Sequence, residues 1–192
     1  VYAFQLKGHP GGRMRLSEWT SGLDQIRTLT THHWHSPGTP RPERYFPVFV
    51  TNGEVDEEAR KAPSGHLPLV WYIAHLMCAH DHFLKLYVGH DGGLTDSFVQ
   101  RYAGPCSECA NFSDAPPIGE LLERYEAMHM RTRSFLEGLE EADFERTAEG
   151  AAHPTFRTLG GALTVVGFHD GYHAGQLADL RRAMGKTDLA EE

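Results

Sequence analysis

Two histidines four residues apart, His169 and His173 in the segment FHDGYHAGQLADLRRAMG, carry the clearest chemical signal in this chain. In an α-helix, positions i and i+4 share one face, a turn apart. Two imidazoles so placed can ligate one metal ion without distorting the backbone. Leu159, Leu163, Val166, Leu177 and Met184 recur at helical spacing around them, and Gln176 and Leu180 continue the histidine face. The competing reading is two ordinary polar residues of a half-buried helix, so a metal site requires a third ligand. His75 lies inside PLVWYIAHLMCAHDHFLKLYV, a run apolar on more than one side. An imidazole there must be hydrogen-bonded, neutral or metal-bound. His75 is therefore the expected third ligand. His82, two turns further along the same face, is the reserve, and His80 projects elsewhere.

Other residues carry chemistry at lower specificity. HDGYH echoes the HExxH pattern of zinc proteases, with Asp170 in place of the glutamate. Aspartate is one methylene shorter and the flanking sequence lacks other protease features, so proteolysis is not expected. Asp170 is kept as a candidate base or partner to a ligand, against the alternative of a solvated helix charge. Tyr172 and Gln176 are candidates for lining the site or orienting its ligands. Cys106 and Cys109, in GPCSEC, have the spacing of a redox dithiol or half a zinc site. No strand–turn–helix context surrounds them and only Cys78 remains as a further thiol, so inert loop cysteines are expected. In His32, His33 and His35, neighbouring residues point about 100° apart on a helix, so at most two could share an ion.

Four helical segments must position these groups. The first spans about residues 16–35, with Leu16, Trp19, Leu23, Ile26 and Leu29 at helical spacing. The second runs from Leu67 or Pro68 to Val88 and stops at Gly89. The third opens at Asp114 to Pro117 and continues to about Leu139, with Ile118, Leu121, Leu122, Tyr125, Met128, Phe135 and Leu136 inward. The fourth starts near Thr158 and ends at Gly185, after Arg181 and Arg182, whose charges suit the negative end of the helix dipole. Residues 36–63 are proline-rich and read as a long loop with a turn at Thr51-Asn52-Gly53; residues 91–115 read as irregular. The fold class that follows is all-α, a four-helix bundle, in which inward-facing residues of separate helices build metal sites.

The 192 residues fit one domain spanning 1–192, with residues 1–13 a possible extension ahead of Met14. A formal charge of −8 argues against a general nucleic-acid or anionic-membrane surface. No apolar run approaches the roughly 20 residues needed to span a bilayer. Three cysteines make no disulfide framework, which points to a reducing cytoplasm. Histidine, at 13 residues, is over-represented, and it is the commonest metal ligand.

AHLMCAHDHFL in the second helix and FHDGYHAGQLADLRRAMG in the fourth resemble the DinB-like (YfiT-like) metalloprotein superfamily. The matching positions are His75, His169 and His173, with Gln176, Arg181 and Gly185 completing the pattern over about residues 68–185. The proline-rich stretch and the CxxC loop depart from it. The resemblance implies a divalent ion, zinc or nickel, on three histidines with open positions, and often a homodimer. Three neutral imidazoles leave the ion its full charge, so it can lower the pKa of a bound thiol or water. Two enzymatic readings follow: transfer to or from a low-molecular-weight thiol, or hydrolysis. A non-enzymatic metal-binding stress protein or dimeric scaffold stands beside them.

Overall fold

The computed structural model describes residues 53–90, 92–104, 112–149, 151 and 154–185. The helix expected over residues 16–35, the His32–His35 cluster and the Cys106/Cys109 pair lie outside these residues. Within them the chain forms α1 (Gly53–Ala59), α2 (Leu69–Phe83), α3 (Asp96–Tyr102), α4 (Ile118–Leu136) and α5 (Leu159–Ala183). Short 3₁₀ turns at Glu141–Glu145 and Pro154–Phe156 lead from α4 to α5. No strand occurs among the described residues, only an isolated bridge between Thr147 and Thr158.

The ends of the long helices follow local chemistry. Pro68 caps α2 in an extended conformation, where its missing N–H costs nothing. A π-helical turn, Leu84–Val88, continues α2 until Gly89, whose positive φ of 68° closes it. Thr158 caps α5 by accepting the Gly161 N–H at 3.1 Å, and Gly185 takes a φ of 74° beyond its far end. Two expectations are corrected. Residues 53–59 are helical rather than loop, and residues 96–102 form α3 inside the stretch read as irregular. Thr95 caps α3 by accepting from the Phe98 N–H at 3.2 Å, and the rings of Phe98 and Tyr102 pack together on one side of it.

Helix α2 sits between α4 and α5. It runs antiparallel to α5: His66, just before α2, meets Asp179, Trp71 lies by His173, and His75 lies by His169. At the opposite end His82 packs on Phe156, just ahead of α5. Two apolar clusters fill the interior. The larger holds Ile73, Leu76, Met77, Ile118, Leu121, Tyr125 and Leu177, and the smaller holds Phe83, Leu136, Leu159, Leu163 and Val166. Each such side chain, fully buried, contributes about 1.5–3 kcal/mol relative to exposure. Between the clusters lies a buried polar layer: His80 and Asp81 on α2, His129 and Thr132 on α4, Asp170 and His173 on α5. No helix among the described residues is long and apolar enough to cross a membrane.

Candidate metal centre

The antiparallel register brings His75 of α2 against the His169–His173 pair of α5. His169 Nε2 lies 3.0 Å from His75 Nε2 and 3.2 Å from His173 Nε2. One nitrogen from each of the three rings falls within 4.8 Å of the others, and among the described residues this is the group able to hold an ion. His75 and His169 are partly exposed while His173 is buried.

The outer nitrogens of two rings are held by acceptors. His75 Nδ1 is 2.6 Å from the Tyr102 carbonyl. That carbonyl belongs to the last residue of α3, where helical C=O groups have no partner within the helix. It can only accept, so Nδ1 carries the proton, and a neutral His75 then presents a lone pair at Nε2. His173 Nδ1 is 2.7 Å from Gln176 Oε1, while Gln176 Nε2 donates to the Tyr172 hydroxyl at 3.3 Å. His173 thereby takes the same tautomer. The rings themselves are wedged: Trp71 stacks on His75 with centroids 4.6 Å apart, and Trp71 and Tyr72 flank His173.

Electrostatics keeps the cluster neutral. Burial pushes the His169 pKa down to about 4, with His173 and His75 adding to the effect and the nearby Asp170 opposing it. Burial likewise lowers His75, against the Tyr102 hydrogen bond, and His173, with His75 adding to the effect. Two lone pairs thus face His169 Nε2 at hydrogen-bonding distance, and a single proton there can satisfy only one of them. A cation satisfies all three. Four ligands placed tetrahedrally at zinc's bond length are about 3.3 Å apart, close to the 3.0 and 3.2 Å that separate His169 Nε2 from the other two rings. The residues present fit a divalent ion.

The remaining candidates fall in different places. Gln176 touches the cluster through His173, and Tyr172, 55% exposed, lies on its solvent side with Phe168 stacked beside it. Asp170 is not among the converging donors: its carboxylate is buried and accepts from His80 Nε2 at 2.9 Å and the Tyr125 hydroxyl at 3.2 Å. His82 is not in the group either, and its ring packs on Phe156. Sequence reasoning missed Trp71, the Tyr102 carbonyl and the His80–Asp170 pair. Only the last had a signal, an imidazole on a nearly all-apolar helix that required a buried partner.

No curated protein matches the chain. Among solved structures, YfiT from Bacillus subtilis, described as a probable metal-dependent hydrolase with an unusual four-helix bundle topology, is similar at a TM-score of 0.57. The match covers 94% of this chain and 95% of that one at 16% identity, and establishes the four-helix-bundle fold. The sequence over residues 13–177 matches the DinB superfamily. The chain belongs to the DinB superfamily.

Proposed function

We propose that His75, His169 and His173 hold one divalent ion, zinc or nickel, and that the protein is a metal-dependent enzyme acting on a small molecule. The observation that carries this reading is the convergence of three imidazole nitrogens, two with their outer N–H groups tied to acceptors, in a cluster that still reaches solvent. Imidazole suits both ions. Bound there with an exchangeable position, the ion supplies Lewis acidity, polarising a substrate carbonyl or lowering the pKa of the water or thiol it holds.

The chain's own residues do the rest. The Tyr102 carbonyl and Gln176 fix the tautomers of His75 and His173, and Trp71 fixes the plane of the His75 ring. Tyr172, on the exposed side and bonded to Gln176, is placed to contact a substrate approaching from solvent. Its ring and that of Phe168 offer that substrate an apolar margin. Partial exposure of His75 and His169 favours an exchangeable ion over one that only ties helices together, since structural ions are usually sealed by protein ligands.

The nucleophile is water in the hydrolytic reading, in keeping with the description of YfiT, and a low-molecular-weight thiol in the transferase reading. Zinc- or nickel-loaded protein should be assayed with activated esters and amides, with and without small thiols, alongside an electrophile that reports thiol consumption. Ester or amide turnover independent of thiol supports hydrolysis, and turnover that requires thiol supports transfer. Absence of both, with the ion bound at one per chain, would refute the enzymatic reading and leave the scaffold.

A further inference from the structure

We propose that Asp170, His80 and Tyr125 form a clamp that sets the rotation and register of α5 against α2, and so holds the three imidazoles in convergence. The proposal rests on the metal-site reading above. It concerns residues that do not themselves reach the site.

The Asp170 carboxylate takes its donors from two other helices. His80 of α2 donates from Nε2 at 2.9 Å, and Tyr125 of α4 donates its hydroxyl at 3.2 Å, both to Oδ2. His80 and Tyr125 are fully buried and Asp170 is 1% exposed. A carboxylate in such a place without donors is strongly unfavourable. Both donors are available only when α2, α4 and α5 stand at one mutual rotation. Asp170 directly follows His169, so the direction of its side chain is locked by helix geometry to that of the ligand pair. Turning α5 by one residue, about 100°, would withdraw Asp170 from both donors and His169 from His75 together.

The apolar clusters above and below do not impose this choice. Burial of Leu, Ile and Val is non-directional and tolerates small slides and rotations. The polar layer lies between the two clusters, with Asp170 next to His169 in the chain, and supplies the direction they lack. It does so at a cost in stability, because Asp170 Oδ1 and His80 Nδ1 have no partner among the described residues. Apolar side chains of similar volume in place of a buried polar pair are often neutral or stabilising. That separates a positioning role from a merely structural one.

Zinc affinity should be measured by chelator competition, together with thermal midpoints of the metal-free proteins, for the parent, Asp170→Leu, the double variant Asp170→Leu/His80→Leu, Tyr125→Phe and Leu163→Ala. Asp170→Leu should bind zinc about tenfold more weakly, in line with the effect of groups that orient metal ligands. The double variant should recover thermal stability without recovering zinc affinity. Leu163→Ala, a cavity in the smaller apolar cluster, should lower the midpoint while leaving zinc affinity at the parent value. Parent-like zinc binding by the double variant would overturn the clamp, as would equal weakening in Leu163→Ala. Should Asp170→Leu fail to fold, Tyr125→Phe decides: it removes one donor and should weaken zinc a few-fold, whereas unchanged affinity refutes the proposal. A parent that binds no zinc refutes the metal centre itself, a different failure from a parent that binds zinc and variants that bind it equally well.

Discussion

Gln176 offers a test of the metal centre that leaves all three imidazoles in place. Its Oε1 lies 2.7 Å from His173 Nδ1, so Gln176→Ala removes the acceptor that fixes the tautomer and raises the basicity of the ligating nitrogen. Loss of such a partner costs about 10–100-fold in metal affinity. An effect just below the lower end of that range is expected here. Trp71 and Tyr72 still flank the His173 ring, so its plane is retained by packing, and Gln176 is itself only half-buried, so water can supply a replacement acceptor. What remains is the difference between one good hydrogen bond and a solvated one, about 1 kcal/mol, or somewhat under tenfold. Gln176→Glu should recover the parent affinity or exceed it, because a carboxylate accepts from Nδ1–H more strongly than an amide. Zinc competition titration at neutral pH reads both, with thermal melts of the metal-free variants as the control for folding. Parent affinity in Gln176→Ala, or weaker binding in Gln176→Glu than in Gln176→Ala, would refute the assigned tautomer.

Replacing a ligand should cost far more: zinc finger affinities correspond to roughly 3 kcal/mol per ligand, so His173→Ala should bind at least about a hundredfold more weakly and purify with little metal. Full stoichiometry in that variant, by elemental analysis, would sink the site. Replacing both Cys106 and Cys109 with serine should leave metal content and thermal midpoint unchanged, and loss of the metal would mean that the thiols hold it. The metal-free protein should lose stability on mild acidification. Burial depresses all three imidazoles, His169 to about 4, whereas in the unfolded chain they take up protons near pH 6.5. Their contribution is complete above about pH 6.5 and falls as the pH drops, for His169 down toward 4, because the unfolded state binds more protons than the folded one in that window. Thermal midpoints between pH 7 and 4 should therefore decline in the parent and less steeply in His169→Ala; parallel curves would contradict it.

Much of this was legible in the chain. Helices α2, α4 and α5 fall close to their expected bounds because each is long, periodic and stopped by glycine or proline chemistry. Helices α1 and α3, at 7 residues each, are too short for periodicity to register, and isolated helices of that length are not stable without tertiary contacts. The His169–His173 pair was visible as an i, i+4 spacing, and His75 as an imidazole in an apolar run. The acceptor for His75 was not, since a backbone carbonyl has no residue-type signature and reaches the ring only because α3 ends there. Asp170 illustrates the limit from the other side. Its neighbours in sequence suggest an active-site carboxylate, and only the antiparallel packing of α2 on α5 brings His80 to it.

The location of the polar layer gives the fold its functional logic. A bundle of this size could fill its interior with leucine and isoleucine throughout, and would lose nothing in stability by doing so. Instead three helices interrupt their apolar stripes with buried polar groups, and on α5 these include His173 and Asp170, the residue that follows His169. Departures from apolar patterning that carry atoms with no partner among the described residues, such as Asp170 Oδ1 and His80 Nδ1, have a cost that packing does not return. Sequences tolerate such departures chiefly where geometry matters more than stability. In this chain they lie beside the imidazoles, where, on the proposed reading, an error of about 1 Å would separate a set of ligands from three unrelated histidines. The clusters on either side supply the folding energy, and the layer between them supplies direction.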